Sequence, residues 1–67
     1  MSRLSLGDID ELARLQRKIL SRSASINRLL VRENTQGASD EGRDALAGLL
    51  DDITAAARSM EVILNRS

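Results

Sequence analysis

Apolar residues recur through the first half of the chain at Ile9, Leu12, Leu15, Ile19, Leu20, Ile26, Leu29 and Leu30. At about 100° per residue they gather on one half of a helix, with Arg14, Arg17, Arg28 and Arg32 on the other. The spacing predicts a first helix over residues 6–33. Ser5 stands before it as an N-cap, and Asp8 follows three residues on, a capping-box spacing with Asp in the usual place of Glu. Asp8, Asp10 and Glu11 put negative charge in and just after the first turn, where the helix dipole favours it. Leu4 and Ile9 have the spacing of a hydrophobic staple. Gln16, Ser23 and Asn27 run along one edge of the apolar stripe as polar residues at the seam.

The pattern fades after Val31. Asn34-Thr35-Gln36-Gly37-Ala38-Ser39 has turn composition, and Gly37 suits a left-handed residue closing the helix. Ser39 is an N-cap candidate for a second helix over residues 40–65, with Asp40 and Glu41 in its first turn. Here the apolar spacing alternates three and four through Leu46, Leu49, Ile53, Ala56, Met60 and Ile63, a coiled-coil seam. Leu50, Ala57 and Leu64 widen it on one side and Ala45 on the other. Ala47, Ala55 and Val62 lie away from it. Ala55-Ala56-Ala57 has no bulk and permits close helix approach.

Two long helices joined by a few residues predict an all-α, antiparallel two-helix hairpin forming one domain. Folding at Gly37 makes neighbours of residues whose numbers add to about 74. That register sets Arg14 against Glu61, Arg22 against Asp51 or Asp52, Arg28 against Asp44, and Arg32 against Asp40 or Glu41. Each exposed pair contributes only ~0–1 kcal/mol, so the pairs select a register more than they stabilise it. Net charge is zero overall, but residues 1–33 carry seven basic against four acidic groups, and residues 34–67 three against six. Opposite halves suit two helices lying together and argue against general polyanion binding.

Composition makes a second chain necessary. A 67-residue chain without Cys has no disulfide or thiolate metal site, and without His it lacks the commonest metal ligand and general base. Phe, Tyr, Trp and Pro are absent too, so the core is aliphatic. Below about 70–80 residues such a core supplies only a few kcal/mol. Apolar stripes wider than one helix contact then imply a four-helix-bundle homo-oligomer, a dimer in its simplest form. The seam residues are Leu12, Ile19, Ile26, Leu30, Leu46, Leu49, Ile53, Ala56, Met60 and Ile63, and Ile53→Asp is expected to dissociate or unfold the assembly.

Little in the chain suggests catalysis or a cofactor. Asp51 and Asp52 are adjacent and diverge on a helix, Gly37 and Gly42 have no phosphate-loop spacing, and no segment has the ~20 apolar residues of a membrane span. Acids at Asp8, Asp10 and Glu11 interrupt any secretory h-region, so cytoplasmic residence in a bacterium or phage is expected. The expected function is a non-enzymatic interaction protein (adaptor, inhibitor or chaperone-like) packing helices against a protein partner. The alternative is an oligomer that sequesters a phosphate-bearing ligand, a nucleotide or RNA, through Arg14, Arg17, Arg28 and Arg32 with Gln16, Ser23 and Asn27. In outline such a hairpin resembles the co-chaperones of type III secretion needles, plasmid RNA-binding hairpin dimers and small phage proteins that sequester host factors. No motif carries a residue over from any of them.

Overall fold

The computed structural model describes residues 3–37 and 39–67, so Ala38 of the turn segment lies outside the described residues. Two helices account for nearly all of the rest: α1, Leu6–Gln36, and α2, Asp40–Arg66. They pack against each other as a hairpin 52 Å long, with no strand among the described residues. The capping box forms at the start of α1. The Asp8 amide donates to Ser5 Oγ at 3.0 Å, and the Ser5 amide donates to Asp8 Oδ2 at 3.2 Å. The staple is replaced by a tertiary contact: Leu4 packs onto the Leu15–Ala56–Ile63 cluster, while Ile9 stays 48% exposed.

Helix α1 runs three residues beyond its expected end at residue 33, through Asn34, Thr35 and Gln36. Thr35 Oγ1 donates back to the Val31 carbonyl at 2.9 Å, so its hydroxyl is satisfied within the helix. Gly37 then takes φ 90° and ψ 148°. The positive φ matches the sequence expectation. The extended ψ does not, because the chain must travel on to Ser39 instead of curling back as a left-handed cap would. Gly37→Ala should cost about 1–3 kcal/mol, the range for side chains forced into this region, read as a lower denaturation midpoint at unchanged slope.

The turn is locked by one carboxylate. Glu33 accepts from the Ser39 amide at 2.9 Å and the Ser39 hydroxyl at 3.2 Å. Ser39 Oγ in turn accepts from the Gly42 amide at 2.9 Å, capping α2. Gly42 is buried, and a Cβ there would lie 1.9 Å from Glu33 Oε1. The glycine therefore makes room for the carboxylate that joins the helices. Alanine at Gly42 gains up to about 1 kcal/mol of helix propensity but evicts Glu33 from charge-assisted bonds contributing about 1.5–3 kcal/mol. Gly42→Ala should destabilise the native chain and stabilise a Glu33→Ala chain. A double-mutant cycle by chemical denaturation reads this change of sign.

The packed lines are heptads: Asp8, Leu15, Arg22 and Leu29 on α1, and Gly42, Leu49, Ala56 and Ile63 on α2. Leu15, Leu29, Ala56 and Ile63 form the buried apolar set. Leu15 meets Ala56 and Ile63 in one cluster, flanked by Leu12, Ile19 and Met60. Arg22 interrupts the α1 line and donates to Asp52 at 3.0 Å across the helices. Arg66 reaches Asp8 at 3.7 Å. Both pairs have residue numbers adding to 74, which fixes the register. The other three expected cross-helix pairs are replaced by contacts within α1: Arg14 pairs with Glu11, Arg32 with Glu33, and Arg28 donates to Ser25 Oγ. Partners on the same helix are within easier reach, and Arg32 lines a depression at the turn with Ser39 and Glu41 without bonding to either.

Candidate interaction surface

Among the described residues, eight large apolar side chains are exposed: Leu6, Ile9, Leu20, Leu30, Val31, Leu50, Val62 and Leu64. Their placement follows from winding. Seen down the common axis, antiparallel helices wind in opposite senses. Rotating from each packed line in the same numbering sense therefore leads to the same side of the hairpin. On α1 that rotation passes Leu12, Ile19 and Ile26, then Ile9, Gln16, Ser23 and Leu30, then Leu20 and Asn27. On α2 it passes Leu46, Ile53 and Met60, then Arg43, Leu50, Ala57 and Leu64. Leu30 and Leu46 duly line one groove beside the turn, about 430 Å³ in volume, together with Leu29, Gly42 and Arg43. One long side of the hairpin is thus apolar across both helices. Its charges are confined to its edges and its turn end, at Asp10, Arg17, Glu33, Arg43 and Glu61.

The ten expected seam residues divide between two contacts. Ala56 and Ile63 are buried between the helices. Leu12, Ile19, Ile26, Leu46, Leu49, Ile53 and Met60 are half-buried, and Leu30 is 51% exposed. Leu15 and Leu29, the buried residues of α1, were read as part of the stripe but not as its centre. Arg22 between them hides that line in the sequence. Val62 lies on the opposite, polar side of α2 and is 57% exposed.

The proposed ligand residues occupy two separate faces. Gln16, Ser23 and Asn27 are exposed on the apolar side. The arginines lie on the far side of α1, where Arg28 and Arg32 share a shallow depression with Ser25. Arg14 stands about 21 Å along the helix from Arg28 at ~1.5 Å per residue. The Arg14 guanidinium beside Glu11 holds that carboxyl below the usual carboxylate range, chiefly by hydrogen bonding. This contribution is present above the ordinary carboxylate pKa and is lost as pH falls through the lowered value. Both groups are fully solvated, so the acid sensitivity it brings is slight. Among the described residues, no three carboxylates converge as metal ligands, and no helix is long and apolar enough to cross a membrane.

No protein-family model, curated protein or solved structure matches the chain.

Proposed function

We propose that the chain is a non-enzymatic interaction protein that works as an oligomeric helical bundle and packs its helices against protein. The supporting observation is the apolar side spanning both helices, with Leu20, Leu30, Leu50 and Leu64 each about half exposed or more. A contiguous patch along a hairpin 52 Å long exceeds what soluble monomers ordinarily leave in water. Four buried apolar residues among those described are also a thin core for a chain of this size. Covering the open side completes a core that the hairpin alone lacks. Sedimentation from 1 to 100 µM should show a species heavier than one chain. A fully helical monomer throughout this range would overturn the reading.

A second reading, binding of a phosphate-bearing ligand, draws on the depression shared by Arg28, Arg32 and Ser25. Nucleotides or short RNA should then raise the melting temperature, an effect lost with salt and with Arg28→Ala. The absence of any shift removes it.

A further inference from the structure

We propose that the open apolar side is covered by a second copy of this chain, related by a two-fold axis near Leu20, with α1 antiparallel to its counterpart and the turns at opposite ends. This rests on the bundle reading above and specifies its partner and orientation.

Size is the first argument. The hairpin's long side measures about 52 × 15 Å, close to the ~800 Å² per partner that stable protein interfaces bury. A second hairpin is therefore the right size to cover it.

Pattern is the second argument. The α1 line aimed out of this side reads Ile9, Gln16, Ser23, Leu30: apolar, polar, polar, apolar. Reversed about a point beside Leu20, close to the midpoint of α1, the line matches itself. Ile9 meets the other copy's Leu30, and Gln16 meets its Ser23. Gln16 offers both an amide donor and an amide acceptor to a hydroxyl that needs either. Asn27 sits at the rim of the same contact. The α2 line, Arg43, Leu50, Ala57, Leu64, reverses about the same level of the hairpin. Leu50 meets Ala57, and Leu64 meets the aliphatic stem of Arg43, whose charged head reaches water at the bundle end.

The competing two-fold arrangement puts both turns at one end and sets α1 against the partner's α2. Its advantage is that the net positive helix faces the net negative one. In that arrangement, however, Gln16 faces Ala57 and Ser23 faces Leu50, while Arg43 lies against a leucine in either arrangement. An unpaired buried polar group costs more than an exposed, screened ion pair returns, and symmetry doubles each mismatch. The antiparallel contact prevails on that balance. Gln16 and Ser23 then act as a polar layer that fixes orientation, as single buried polar residues do in coiled coils.

The chain has no cysteine, so Gln36→Cys at the exposed end of α1 provides one spin-label site clear of the apolar side. Pulsed dipolar spectroscopy on the full-length labelled dimer should give one distance near the 52 Å hairpin length. Turns at the same end would instead give a distance within about 20 Å, roughly two interhelix spacings. A dimer showing only the short distance overturns the orientation and leaves the bundle reading intact. A monomer with no dipolar signal overturns both. Gln16→Leu with Ser23→Leu should keep the dimer and add the short distance as a second population. An unchanged single peak in that variant would overturn the polar layer's role.

Discussion

Replacing Ile63 by Asp should leave the chain unfolded at 25 °C. Ile63 is 3% exposed, the least of any residue in the cluster it forms with Leu15 and Ala56. Removing a buried isoleucine's bulk costs about 2–5 kcal/mol. Placing an unpaired carboxylate in the gap adds a desolvation penalty that no neighbour offsets. Arg66, three residues further along α2, already pairs with Asp8. A core of this size supplies only about 3–5 kcal/mol in total, so the substitution exceeds what the fold has available. Far-ultraviolet circular dichroism should show loss of most helical signal at any concentration. Ile63→Val removes one methylene and should cost only about 0.5–1.5 kcal/mol, retaining a cooperative melt. A helical Ile63→Asp chain would show that the cluster is not the centre of the fold.

The hairpin itself was legible because its signals are local. Ser5 with Asp8, and Ser39 ahead of Asp40 and Glu41, mark both helix starts through backbone groups within one turn. Gly37 marks the turn for the same reason: its positive φ is a property of one residue. The register was legible to the extent that two facing charges of opposite sign share it, as Arg22 and Asp52 do. Less visible were features set by the other helix. Leu15 is buried against Ala56 and Ile63 of the other helix, and a single-helix stripe does not contain that information. Gly42 gave no clue to its use, since the Glu33 carboxylate that fills its missing side chain comes from nine residues away across the turn. Arg14, Arg28 and Arg32 were assigned cross-helix partners from level alone. Nearer partners on α1 compete with them, so they pair with Glu11, Ser25 and Glu33 instead.

Two substitutions of one kind, at sites of similar exposure, separate the apolar side from the rest of the surface. Leu50 is 49% exposed and Val62 57% exposed on the same helix. Judged on the isolated hairpin, glutamate at either position should be tolerated to within about 0.5 kcal/mol. They differ in side: Leu50 is on the apolar side, and Val62 is on the polar side, which also carries Asp44, Asp51 and Arg58 along α2. If the apolar side is the interface, Leu50→Glu removes a leucine worth about 1.5–3 kcal/mol of burial from each copy and adds two desolvated charges to one contact. The dissociation constant should then rise at least 100-fold, at ~1.4 kcal/mol per factor of ten. Because the hairpin depends on that cover, its melting temperature should also fall and become strongly dependent on concentration. Val62→Glu should change neither quantity appreciably. Equal behaviour of the two variants would mean that the apolar side meets nothing, and the interaction reading would fall with it.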